Sequence, residues 1–154
     1  MTISDEMYLK STNTAEEFIH QFMKCLDFEN YSIQKVNDRG TLVVSEPEGF
    51  TLYVSDVDQE LNEQFIEDLS FTPTLDCSFD LKKFGDILRV KHELITAIIK
   101  YTRLIADDVL AYTDGDSEVI IYYNQNLTLR ENHWIWKDYP FDKMDYTYGK
   151  LPNL

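Results

Sequence analysis

Three observations predict an α+β fold with a mostly antiparallel sheet for this chain of 154 residues. Two apolar stripes at helical spacing, about residues 15–28 and 83–106, stand apart from a series of short strands. The strands follow one another in runs, without the β-α-β-α alternation of a parallel sheet. The last strands are separated by turn residues and read as a meander. We expect one domain over residues 1–154, with about five to seven strands, two main helices and an irregular aromatic tail from about residue 137.

The elements follow in order. Met7–Lys10 reads as a short first strand. Thr14-Ala15-Glu16-Glu17 matches a capping box, in which the Thr14 hydroxyl accepts from the Glu17 amide and Glu17 reaches back. Phe18, Ile19, Phe22 and Leu26 then form the apolar stripe of a helix running to about Phe28. Strands are expected at Tyr31–Val36, Thr41–Ser45 and Phe50–Ser55. Asp58–Leu69 has helical spacing in Leu61, Phe65, Ile66 and Leu69. Thr74–Leu81 alternates, with Leu75, Cys77, Phe79 and Leu81 inward and Thr74, Asp76, Ser78 and Asp80 outward. The second helix is marked by Phe84, Ile87, Leu88, Leu94, Ile95, Ile98, Ile99, Thr102 and Ile105, and would be ~35 Å long. Val109–Thr113, Val119–Tyr123 and Leu127–Arg130 complete the meander. Val119–Tyr123 is apolar on both faces, as suits a central strand covered on both sides.

Composition bounds the chemistry. With 44% hydrophobic and 14% aromatic residues, the chain can build a true core, and it is neither disordered nor fibrous. Cys25 and Cys77 are too few and too far apart for a disulfide scaffold or a metal pair. Neither a secretory leader nor a membrane-spanning run is readable, so a cytoplasmic location is expected. The N-x-S/T matches at Asn30 and Asn126 then carry no meaning for glycosylation. His20, His92 and His133 stand in no zinc motif; His20 reads as a helix-flank residue and His92 as a packing residue. Cys77 is in inward register and reads as an inert core thiol. Five glycines hold no phosphate loop or dinucleotide fingerprint, and no G-x-S-x-G is present. Asp56, Asp58, Glu60, Asn62, Gln64 and Glu67 fit a calcium-loop register, but its sixth position needs glycine and holds Leu61. We therefore expect no enzyme, no metal and no cofactor.

Charge carries more information. Twenty-eight acidic residues against 14 basic give a net charge of −14. This argues against direct binding of nucleic acid or an anionic membrane and points to a basic partner. From Gly40 to Leu81 there is no Lys or Arg, and ten acidic residues supply −10 of the −14. Asp56, Asp58, Glu60, Glu63, Glu67 and Asp68 crowd one segment, with Glu60, Glu63 and Glu67 on one face of the expected helix. Asp107, Asp108, Asp114, Asp116 and Glu118 form a second group. Two readings stand: a solubilising surface, or a landing surface for a cationic partner, with all these residues but Glu118 taken as candidate contacts.

Affinity at such a surface needs anchors. Trp134, Trp136 and Tyr139 are the candidates, in a segment that also holds Phe141, Tyr146 and Tyr148. Two readings stand here as well: a strap sealing the sheet edge, or a patch facing the partner.

Phe71-Thr72-Pro73-Thr74, Phe79-Asp80-Leu81-Lys82-Lys83-Phe84 and the long helix ending in Asp107-Asp108-Val109-Leu110 resemble a known pattern. With Glu118-Val119-Ile120-Ile121, Leu127-Thr128-Leu129 and Trp134-Ile135-Trp136, the chain resembles the Sit-type immunity proteins of bacterial polymorphic-toxin and contact-dependent inhibition systems. The resemblance runs from about Phe71 to Trp136 and touches the first helix. Asp56–Asp68 and the tail after Lys137 lie outside it. It implies a small cytoplasmic protein that binds and blocks a co-encoded toxin domain without catalysis. From charge alone, that toxin is expected to be a basic nuclease. An acidic adaptor or nucleic-acid mimic that binds a basic host protein is the competing function, and a carboxylate-based hydrolase the third.

Overall fold

The computed structural model describes residues 3–27, 31–36, 41–45, 50–57, 73–81, 86–105, 109–114, 117–123, 125–144 and 147–150. The strands are β1 (Ile3–Lys10), β2 (Ser32–Lys35), β3 (Leu42–Ser45), β4 (Phe50–Asp56), β5 (Leu75–Leu81), β6 (Val109–Asp114), β7 (Ser117–Tyr123), β8 (Asn126–Leu129) and β9 (Gly149–Lys150). The helices are α1 (Ala15–Cys25) and α2 (Ile87–Leu104). Among the described residues, one sheet of nine strands runs in the order β2-β3-β4-β5-β1-β6-β7-β8-β9. Every pairing is antiparallel except β8 with β9. The α+β class and the antiparallel pairing are those the sequence predicts. The sheet exceeds the expected five to seven strands, in part because two residues of the tail join it as β9.

Burial alternates where the sequence does. In β4 and β5 every second side chain, Phe50, Leu52 and Val54, then Leu75, Cys77, Phe79 and Leu81, is buried, and those between are half-buried. α1 and α2 lie on the buried side, where Phe22 meets Phe79 at 5.7 Å and Phe18 meets the edge of Tyr101 at 5.2 Å. In α1, Phe18, Ile19, Phe22 and Met23 reach zero exposure.

The helix ends explain the differences from expectation. The capping box of α1 is present, with Glu17 N–H donating to Thr14 Oγ1 at 3.2 Å and Thr14 N–H to Glu17 Oε1 at 3.1 Å. The helix stops at Cys25, short of Phe28, because Asp27 takes a left-handed conformation with φ 60°. α2 starts at Ile87, where Asp86 accepts from Arg89 N–H at 3.1 Å. Its eighteen residues make it about 27 Å long. The expected helix at Asp58–Leu69 lies outside the described residues.

β7 is covered less than its composition suggests. Val119, Ile120 and Tyr122 are buried, Ile121 is half-buried, and Tyr123 keeps 50% of its surface exposed. The tail is anchored by side chains: Tyr148 hydroxyl donates to Glu131, and Lys150 Nζ lies 3.2 Å from Glu131 Oε2.

Candidate partner-binding surface

The acidic residues singled out from the sequence are only partly placed. Asp56 is exposed at the end of β4, opposite Leu75. Asp114 ends β6, in register with Asp5 on one side and Ser117 on the other. Asp58, Glu60, Glu63, Glu67, Asp68, Asp107, Asp108 and Asp116 lie outside the described residues.

The aromatic segment divides. A 3₁₀ turn at Trp134–Trp136 buries Ile135 and Trp136. Trp136 meets Tyr139 edge-on at 4.9 Å, and both pack on Phe141 at 5.2 and 5.3 Å. His92 fastens this strap to α2, its Nε2 lying 2.7 Å from the Ile135 carbonyl, while Tyr139 and Thr96 share a hydroxyl bond of 2.8 Å. His92 is thus a packing residue, as expected. Among the three proposed anchors Trp134 alone stays largely open, at 55%.

Trp134 covers a feature that sequence reasoning missed. Lys91 of α2 is fully buried, with Nζ 3.0 Å from both carboxylate oxygens of buried Asp5. The Tyr112 hydroxyl donates to the same carboxylate, and the Trp134 ring lies 5.1 Å from Lys91 Nζ. A carboxylate and an ammonium taken out of water survive only with such partners. The signal was present: Asp5 alternates inward with Met7 and Leu9, and Lys91 falls four residues from Ile87 and from Ile95.

The opposite side of the sheet is polar. β1 places Ser4, Glu6, Tyr8 and Lys10 there, β5 places Asp76, Ser78 and Asp80, and β4 places Thr51, Tyr53 and Ser55. Glu6 stands opposite Ser78, so Asp76 and Asp80 are its two diagonal neighbours on β5. Ser4 Oγ donates to Asp80 Oδ1 at 2.5 Å. Burial first, then the Asp76 carboxyl beside it, pushes Glu6 up to about 7. Burial likewise raises Asp76. Neighbouring carboxyls oppose each other's ionisation. The Tyr8 hydroxyl donates to Glu6 and is itself raised, by burial first and then by the Glu6 charge. Asp76 Oδ1 is cut off from water and has no hydrogen-bond partner. The sequence placed Asp76 and Asp80 outward, but nothing in it singled out Glu6.

On the helix side, a cleft of about 630 Å³ opens between the end of α1, α2 and the strap, lined by Asp27, Arg89, Glu93, Lys100 and Tyr139 among others. Arg89 and Glu93 pair across its wall at 2.7 Å. Cys25 also borders it, its thiol raised by burial, and Cys77 is wholly buried and raised well above the ordinary range. Neither thiol is poised as a nucleophile. Among the described residues no three His, Cys, Asp or Glu side chains converge to hold a metal ion, and no helix is long and apolar enough to cross a membrane.

The family model described as SitI3-like matches residues 6–140. The chain belongs to the SitI3-like family. Membership extends the likeness seen in the sequence from Phe71 back to Glu6, and takes in Asp56–Asp68. It points to an immunity protein whose partner is a cognate toxin protein. No curated protein and no solved structure matches the chain.

Proposed function

We propose that the chain is a non-enzymatic cytoplasmic immunity protein that neutralises a cognate toxin domain, a basic nuclease, by covering its cationic substrate groove with an acidic surface. The family match supports the partner class. The observation that carries the electrostatic half is the sheet face opposite the helices. There Asp76 and Asp80, both from the segment without Lys or Arg, stand beside Glu6, and neither meets a described lysine or arginine. A carboxylate field of this kind speeds encounter with a cationic surface, while buried anchors set affinity. Asp56, Asp58, Glu60, Glu63, Glu67, Asp68, Asp107, Asp108, Asp114 and Asp116 extend the field in this reading, with Trp134 as the exposed aromatic contact.

Co-expression with the toxin domain encoded beside it tests the function: the chain restores growth, and purified protein forms a stoichiometric complex. Reversal of Glu60, Glu63 and Glu67 to Lys slows association about tenfold or more while the circular dichroism spectrum stays native. Rescue without complex formation, or recovery of a host DNA-binding protein in place of the toxin, favours the adaptor reading instead.

A further inference from the structure

Building on the toxin-binding reading, we propose that the exposed face of Trp134 is the anchor that sets the lifetime of the toxin complex, and that it seats in an apolar pocket of the toxin. The indole is held outward by a fixed turn. The other two residues of that 3₁₀ turn, Ile135 and Trp136, are buried. The Ile135 carbonyl meets His92 on α2, the His133 ring accepts from Ile135 N–H at 3.2 Å, and Trp136 packs on Tyr139. Trp134 nevertheless keeps 55% of its surface in solvent. Among the described residues the other exposed large apolar side chains are Val36, Leu104 and Tyr123. Val36 and Leu104 are single aliphatic groups in other elements, which are ordinary on a protein surface.

The ring is also fixed from behind. Lys91 Nζ lies 5.1 Å from its centroid, and that ammonium is itself held by both carboxylate oxygens of Asp5. The His133 ring lies 5.7 Å away on the same turn. A large ring ordered before encounter gives up little rotamer freedom on binding, the condition under which tryptophan dominates an interface. The cation behind the ring decides what fits in front of it. An aromatic face attracts a cation through its π electrons. Lys91 already draws on those electrons from the inner side, so a toxin lysine or arginine would compete for them. An aliphatic or methionine side chain meets no such competition and gains from apolar burial. Charge and anchor then divide the work: carboxylates govern encounter, and Trp134 governs release.

Labelling the chain with fluorotryptophan tests this, because it holds two tryptophans and Trp136 is buried. The fluorine resonance lost in Trp134→Phe identifies Trp134. In the free chain that resonance shifts between light and heavy water. With the inactivated toxin domain encoded beside the chain, it is expected to move and to lose most of the solvent shift, while the Trp136 resonance changes little. Trp134→Ala is expected to raise the dissociation rate about thirtyfold or more, with the association rate within about twofold of wild type. Trp134→Leu keeps more affinity than Trp134→Ala. Trp134→Glu, which would suit a cationic partner, weakens binding at least as much as Trp134→Ala. The Trp136 resonance reports that each variant keeps its strap, and the solvent-shift measurement uses the wild-type complex. A Trp134 resonance that keeps its solvent shift in the complex, a dissociation rate unchanged in Trp134→Ala, or tighter binding by Trp134→Glu overturns the anchor and leaves the immunity reading intact. Failure of the wild-type chain to form any complex removes that reading and this proposal together.

Discussion

Two carboxylates in β1, one residue apart, meet opposite fates. Asp5 points to the helices and is neutralised by Lys91 and Tyr112; Glu6 points away and shares its surroundings with Asp76. The first arrangement makes Lys91 costly to remove. Lys91→Met strands a buried carboxylate and should cost about 3–5 kcal/mol in urea unfolding, whereas Asp5→Leu combined with Lys91→Met recovers most of that loss. The second arrangement works against stability. Glu6 is raised from an unfolded value of 4.5 to about 7, so the folded state binds more protons than the unfolded one between those values. Stability falls as pH rises through that window, and the penalty is full above it. Glu6→Gln should raise the melting temperature at pH 8 by about 2–4 °C, once solvent screening of this half-buried group is allowed for, and by nothing at pH 4.

At the scale of elements, local signals decided what could be read beforehand. The Thr14–Glu17 capping box fixed the start of α1, and Thr14→Ala should lower stability by about 1 kcal/mol, seen as a drop of roughly 2–4 °C in the thermal midpoint. Period-2 burial made β4 and β5 legible before any coordinates. The end of α1 was not legible, because the stop comes from a left-handed Asp27, a residue with weaker preference for that conformation than glycine. β9 was not legible either, since Gly149–Lys150 is a two-residue parallel addition held by tertiary contacts to Glu131. The site divides in the same way. Asp76 and Asp80 were placed outward by alternation, while the Glu6–Asp76 pairing depends on β1 lying beside β5, a contact between segments 70 residues apart that no local pattern encodes. Trp136 and Tyr139 carry the same composition as Trp134, and only packing separates the buried strap from the exposed ring.

Among the described residues, α1 and α2 pack on one side of the sheet, and Glu6, Asp76 and Asp80 stand on the other, within a chain of net charge −14. In the proposed function that asymmetry links fold to function: α1 and α2 stabilise the strand array, and its carboxyl-bearing side faces the partner. The most direct test is the association rate of the chain with its toxin domain as a function of ionic strength. The account predicts a fall of at least about tenfold between 20 and 300 mM salt, with the dissociation rate nearly constant. An association rate indifferent to salt, or inactivation of the toxin by substoichiometric amounts of the chain, would contradict it.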